Sequence, residues 1–234
     1  MCGRYTLAAS NPAEVRARFG LSETVAVRRR FNVAPGDDVL AITTDREGRS
    51  RSEELRWGLV PTWANSPANG LKMINARVET VRERPAYRRA FERFRCLILA
   101  DGFYEWQRLD GPGRVRKQPF WIHRADGAPF AFAGLWSIWH GPQEETLRSC
   151  TIITAPANPV VAPLHDRMPA ILAPGTESHW LDAAAPPEEL LDLLHGLPSS
   201  EIALQAVSSA VNDARYDGPE CLAPPAPEPQ AALF

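Results

Sequence analysis

The chain has 234 residues, 44 % of them apolar and 23 % charged, with 26 basic against 28 acidic side chains and a formal net charge of −2. These are globular proportions, at a length that suits one large domain or two small ones. No run of about 18 apolar residues occurs, which excludes a membrane-spanning helix, and the opening MCGRYTLAAS lacks the basic-then-apolar layout of a secretory signal.

Along the chain, Asn11-Pro12-Ala13-Glu14 opens the first predicted helix. Asn is a good N-cap, Pro suits the first helical position and Glu14 completes a capping box. Runs rich in β-branched and aromatic residues, bounded by Gly, Pro or Asp, predict strands at Val39–Thr44 and Glu54–Val60. A second helix is expected over Pro85–Arg95, with Tyr87, Phe91 and Phe94 on its apolar side. Strands follow at Cys96–Trp106, Gln118–His123, Phe130–Trp139 and Cys150–Thr154, with turns at Asp110-Gly111-Pro112-Gly113 and Asp126-Gly127. Two short helices near 176–183 and 187–195 are separated by Pro186-Pro187, and a last strand spans Ile202–Val207. Short strands dominate and no βαβ rhythm is seen, which gives an α+β fold with a β-rich core. Residues 1–217 read as one domain, and 218–234 as a disordered Pro- and Ala-rich tail.

Charge is unevenly placed. Residues 1–100 hold 18 Lys+Arg against 11 Asp+Glu, and residues 101–234 hold 8 against 17. Seventeen of those first 18 cations are Arg, whose planar fork suits phosphate, so a local nucleic-acid surface is compatible with the acidic total. A solvated Arg-rich face reads the same way on charge alone. The cysteines, at 2, 96, 150 and 221, are too few and scattered for a disulfide scaffold and show no C-x-x-C pair, which fits a reducing cytoplasm. Cys96 and Cys150 read as core residues and Cys221 as incidental in the tail. No phosphate-binding loop, nucleophile elbow or zinc-type motif occurs, so no metal and no cofactor is expected.

Cys2 carries the most distinctive chemistry. Initiator methionine is normally removed before a small residue, which would leave an α-amine and a thiol on adjacent carbons. Such a 1,2-aminothiol condenses with an aldehyde to an imine, onto which the thiol closes as a thiazolidine. An α-amine has a pKa of about 7.7–8.0 against about 10.4 for Lys, so far more of it is free base at neutral pH. An incidental small residue is the other reading. On the residues alone, Glu105 reads as a surface charge at a strand end, His165 as structural, and Asn75 as a turn or cap residue.

Seven stretches in order, MCGRYTL (1–7), FNVAPGDDV (31–39), RWGLVPTWA (56–64), INARVETV (74–81), CLILADGFYEW (96–106), KQPFWIHRADG (117–127) and TAPANPVVAPLHDRMPAIL (154–172), resemble the SOS response-associated peptidase (SRAP) family of abasic-site processing proteins. The resemblance covers the chain to about Asn212. It implies a single α+β domain with a β-barrel-like mixed sheet core and flanking helices. It also implies binding of single-stranded DNA at abasic sites in the DNA damage (SOS) response, with a thiazolidine crosslink from the mature Cys2 to the ring-opened deoxyribose. Associated lyase and autopeptidase activities, a monomer, and a cytoplasmic location (nucleoid-associated when bound to DNA) come with it.

The resemblance implies Cys2 as nucleophile, with Asn75, Glu105 and His165 in the active site. Glu105, at the end of an apolar strand, would shuttle protons with a raised pKa, His165 would donate to the sugar oxygen, and Asn75 would orient the sugar or amine. Thr154 is a further candidate beside them. Arg4 and Arg77 are the candidate phosphate contacts, and Pro35 and Trp63 the candidates to wedge or stack against flanking bases. Many family members carry a second aromatic residue after that tryptophan, where this chain has Ala64. A cysteine peptidase of the N-terminal-nucleophile type and a non-catalytic single-strand binder are the alternative functions. The covalent trap requires an exposed terminal nitrogen beside the sulfur, in a cleft that admits a baseless deoxyribose.

Overall fold

A computed structural model of the chain describes residues 2–22, 24–109, 116–142 and 144–227. Twelve strands are present among them: β1 Tyr5–Leu7, β2 Arg30–Val33, β3 Asp38–Thr44, β4 Ser50–Trp57, β5 Asn75–Arg77, β6 Arg95–Ala100, β7 Gly102–Leu109, β8 Arg116–Arg124, β9 Phe130–His140, β10 Thr146–Pro156, β11 Arg167–Pro169 and β12 Ile202–Ala206. Strands β3, β4, β10, β9 and β6 pair in that order, and β6 closes back onto β3 to make a five-stranded barrel. All of its pairings are antiparallel except β4–β10, so the barrel is mixed. Strands β5 and β11 extend it along the second half of β10. A separate antiparallel sheet runs β12-β8-β7-β1-β2.

The pattern of β6 shows how the layers meet. Every residue of β6 is buried. Cys96, Ile98 and Ala100 enter one core cluster with Tyr5, Trp57, Phe103 and Phe132, whereas Leu97 and Leu99 enter a second with Phe91 and Trp180. Alternate side chains on a strand face opposite ways, so the uninterrupted apolar run is the signature of a strand covered on both faces. The second face is covered by helices. Helix α1, Pro12–Phe19, has the expected capping box on Asn11, and α2, Pro85–Arg93, buries Tyr87, Ala90 and Phe91. Helices α3, Glu177–Leu181, and α4, Pro187–Asp192, match the predicted C-terminal pair. Phe94 caps α2 rather than riding on it.

Three boundaries differ from the sequence reading. The run Cys96–Trp106 is two strands in different sheets, broken at Asp101. The strand predicted to reach Val60 stops at Trp57, because Gly58 turns off at φ +130° where a Cβ would strike the Gly70 carbonyl oxygen at 2.8 Å. The chain also stays packed beyond 217: Pro219–Leu222 form a 3₁₀ turn, and Cys221, expected to be incidental, is buried with Tyr104, Trp121, Val207 and Val211. Residues 223–227 carry no regular element, while the predicted turn at 110–113 and the end of the tail, 228–234, lie outside the described residues. Strands β1, β2, β5 and β11 are three or four residues each, too short to show a period.

Candidate active site

Cys2 leads directly into β1, which pairs with β7 through Tyr5↔Phe103 and Thr6↔Gly102. That register sets the N-terminal segment beside the strand carrying Glu105. Gly102 is required there, since a Cβ would meet Nε1 of Trp121 at 2.0 Å. The indole N–H of Trp121 donates to Thr6 Oγ1 at 3.0 Å. Asp101, at the break between β6 and β7, accepts from Thr6 Oγ1 at 2.6 Å and from the amides of Ala8 and Ser10 at 2.7 and 2.9 Å. One buried carboxylate thus ties the segment after Cys2 to the start of the Glu105 strand.

Cys2 is 0 % exposed. The expected open position is not found: its side chain joins the barrel-lining cluster with Tyr5, Trp57 and Phe103. Burial next to Asn75 and Glu105 nevertheless assembles three of the expected residues. The Asn75 amide donates from Nδ2 to the Cys2 carbonyl at 2.8 Å, while its Oδ1 is buried with no hydrogen-bond partner among the described residues. Asn75 sits on β5 because Asn75–Arg77 run parallel to Ile152–Thr154, and Tyr87 Oη donates to its carbonyl at 3.2 Å. Burial, and then the charge of Glu105, push the Cys2 thiol well above its ordinary pKa, so it is a thiol and not a thiolate at neutral pH.

Glu105 is 4 % exposed. Desolvation pushes its pKa up to about 7, and the charge of Asp166 acts in the same direction. Glu105 and His165 line one pocket of ≈ 390 Å³. His165 ends a loop wound on Asn158, whose Oδ1 accepts from the amides of Val160 and Val161 at 3.1 and 3.0 Å. Burial lowers the His165 pKa, with Asp166 opposing. The amide of Arg167 donates to His165 Nδ1 at 2.9 Å, and Asp166 Oδ1 lies 2.7 Å from the same nitrogen. One nitrogen cannot accept from an amide and donate to a carboxylate at once. With the pKa lowered, the neutral ring with its proton on Nε2 follows. Arg167 brackets this loop, donating to Glu79 and to the Thr154 carbonyl.

Three further residues line the pocket that the sequence reading missed: Trp106, Lys117 and Asn212. Trp106 Nε1 donates to Asn212 Oδ1 at 2.7 Å. Lys117 arrives through the β7–β8 register, opposite Arg108, and Asn212 through the segment after β12. A cross-strand register or a long-range contact leaves no local sequence signal. The buried hydroxyl of Thr154, on the strand paired with β5, donates to the Ala76 carbonyl at 3.4 Å. Among the described residues no cluster of three His, Cys, Asp or Glu could hold a metal.

Of the candidate DNA contacts, Arg77 is exposed on β5 with no ion pair among the described residues. Arg4 is half-buried, and its Nη1 donates to Asn32 Oδ1 at 2.9 Å and to the Val211 carbonyl at 2.8 Å. Pro35 is half-buried in the β2–β3 turn, where the Asp37 amide bonds the Ala34 carbonyl at 3.1 Å. Trp63 is 65 % exposed and Leu71, on the same β4–β5 connection, 55 %. Ala64 is buried, its carbonyl accepting from Trp139 Nε1 at 2.6 Å.

The sequence profile described as SOS response associated peptidase (SRAP) matches residues 1–214. The chain is 38 % identical over 226 residues to the abasic site processing protein YoqW of Bacillus subtilis, covering 95 % of this chain and 99 % of that one. It is 31 % identical over 197 residues to the abasic site processing protein YedK of Escherichia coli, covering 83 % and 84 %. Against the abasic site processing protein HMCES of Xenopus tropicalis the identity is 38 % over 194 residues, 72 % of this chain and 56 % of that one. A crystal structure of a Bacteroides thetaiotaomicron protein shares the fold, with a TM-score of 0.83 at 22 % identity over 95 % of this chain and 99 % of that one. With the profile spanning nearly the whole chain and the barrel recurring in that structure, the chain belongs to the SOS response associated peptidase family.

Proposed function

We propose that the protein captures abasic sites in single-stranded DNA covalently through Cys2. The observation that carries this reading is the convergence on Cys2 of the Asn75 amide, which donates to its carbonyl, and the Glu105 carboxyl, with a pKa near 7. The relatives named as abasic site processing proteins support the substrate class.

The chain as written begins with Met1, so the Cys2 nitrogen is first a peptide nitrogen. Hydrolysis of the Met1–Cys2 bond, taking up one water, frees the α-amine. That amine adds to C1′ of the ring-opened deoxyribose, and the carbinolamine loses one water to give an imine. The thiol then adds to the imine carbon and its proton passes to nitrogen, closing the thiazolidine. A carboxyl titrating near neutrality can take the amine's proton and return it to the departing hydroxyl. The His165 Nε2–H faces the requirement for a donor to the sugar oxygen, and Asn75 Oδ1 supplies a free acceptor for the amine. The imine also acidifies the C2′ protons, which opens β-elimination as the lyase branch.

The state of the thiol favours this order of events over a cysteine peptidase acting on other proteins. Acyl transfer by cysteine needs a thiolate of lowered pKa, whereas the buried Cys2 thiol is raised. In the imine route the amine attacks first and the thiol closes second. Arg4 and Arg77 would hold phosphates and Pro35 and Trp63 the flanking bases, on a monomer working in the reducing cytoplasm.

Wild-type protein with an abasic oligonucleotide is expected to give a gel-stable adduct, with the mass of both components less Met1 and one water. Cys2→Ala is expected to give none. An adduct persisting in Cys2→Ala would remove the assigned nucleophile.

A further inference from the structure

A trough of ≈ 1180 Å³ lies between the β3–β4 hairpin end, the C-terminal end of α2 and the start of α4. It shares Phe94, Trp136 and Ile138 with a neighbouring cavity of ≈ 390 Å³ whose wall carries Trp63. The two cavities therefore adjoin along these three side chains, and the smaller carries the exposed indole. Its floor is aromatic: Phe94 and Trp136 meet edge to face, centroids 5.2 Å apart.

The charges along it are unequal. Arg49 is paired with Asp45 and Glu47, and Arg148 with Glu53. Arg46, Arg51, Arg89 and Arg93 are exposed and have no ion pair among the described residues. Glu92 is the one remaining acid on the trough wall. Arg148 lies over the Trp136 ring at 4.5 Å and Arg89 over Phe94 at 5.6 Å. Arg89, with no ion pair among the described residues, lines the same cavity as the exposed Trp63; an open charge beside an open aromatic face is what a single nucleic-acid strand requires, since phosphates need the charge and bases the apolar face.

We infer that this trough is a second segment of single-strand track, taking nucleotides beyond those held at the pocket of Glu105 and His165, on the side that Trp63 faces. The inference rests on the proposed DNA substrate and extends its footprint. Its consequence is that affinity depends on strand length through residues that take no part in the chemistry.

The test is Arg51→Ala combined with Arg93→Ala, both on exposed positions, assayed with single strands of about 20 and about 5 nucleotides around one abasic site. Binding of the long strand is expected to weaken about tenfold, with a log–log salt slope shallower by about 1.4, from two lost contacts at roughly 0.7 each. Binding and adduct formation on the short strand are expected to match wild type. Equal weakening on both lengths, or none on the long strand, overturns the inference. So does displacement by polyglutamate with no dependence on strand length, which assigns the trough to an acidic peptide. Failure of wild-type protein to form any adduct on the short strand would instead remove the covalent-capture reading, and the length dependence would still decide the trough.

Discussion

Burial holds the Glu105 carboxyl protonated to an unusually high pH, with its pKa pushed up to about 7. The sign of the linked stability follows. Below the unfolded pKa the group is protonated in both states and costs nothing. As pH rises toward 7 the unfolded chain loses this proton first, so stability falls through that window and stays lower above it. Glu105→Gln is therefore expected to raise unfolding free energy by about 1–3 kcal/mol at pH 8 and to leave it unchanged at pH 4, measured by denaturant titration at both pH values. The same substitution is expected to slow adduct formation by about a hundredfold while leaving DNA affinity within a factor of about two. Wild-type adduct kinetics in Glu105→Gln would remove the proton-shuttle role. The other acidic group at the site behaves differently: the Cys2 thiol stays protonated throughout the range in which Glu105 titrates, so the pH profile reports the carboxyl and not the sulfur.

Among the elements, the break between β6 and β7 decides whether the site exists. β6 belongs to the barrel and β7 to the second sheet, so the chain must change layers between Ala100 and Gly102. A buried carboxylate at that corner would be costly unless satisfied, and Asp101 is satisfied by one hydroxyl and two amides from residues 6–10. Asp101→Ala leaves these donors buried and unpaired. It is expected to cost about 3 kcal/mol of stability and, under conditions where the variant stays folded, to slow adduct formation through misplacement of Cys2. Undiminished stability in Asp101→Ala would show that the corner is held by the packing of Trp121 on Gly102 instead. Strand β5 does comparable work from the other side. Its three residues carry both Asn75 and Arg77, and their parallel pairing to β10 sends Asn75 toward Cys2 while Arg77 stays exposed.

Over the whole molecule, the Arg-rich first hundred residues divide into two populations. Some arginines are structural. Arg95 is buried and donates to the carbonyls of Phe91, Glu92, Trp180 and Asp182, stitching α2 to α3. Arg30 is spent on Asp37 and Asp217, and Arg29 donates to the Ala8 carbonyl. Others, Arg77 among them, remain exposed with no ion pair among the described residues, and these are best placed to release counterions from a nucleic acid. Arg77→Ala is expected to weaken single-strand binding and reduce the salt slope by about 0.7; Arg30→Ala, whose charge is already neutralised by Asp37 and Asp217, serves as the control. An unchanged slope in Arg77→Ala would place the strand elsewhere.

Residue patterns alone determined the α+β class, the capped first helix, the central strands and, through seven ordered motifs, the family with Cys2, Asn75, Glu105 and His165 as its candidates. The cap, the strand periods and the motif runs are local signals; Asn75, Glu105 and His165 are candidates through the family resemblance alone, since their own neighbours read as a turn, a strand end and a structural histidine. Closure of β6 onto β3, the change of sheet at Asp101 and the recruitment of Trp106, Lys117 and Asn212 into the pocket are pairings between distant segments. Burial was decided at the same level. Nothing in MCGRYTL distinguishes an open cysteine from the fully covered one observed, and GPECL reads as a tail until Cys221 meets Tyr104 and Trp121. Solvent exposure, and with it the raised Glu105 pKa and the protonated Cys2 thiol, is a property of what packs around a residue, so it came into being only when the two sheets met.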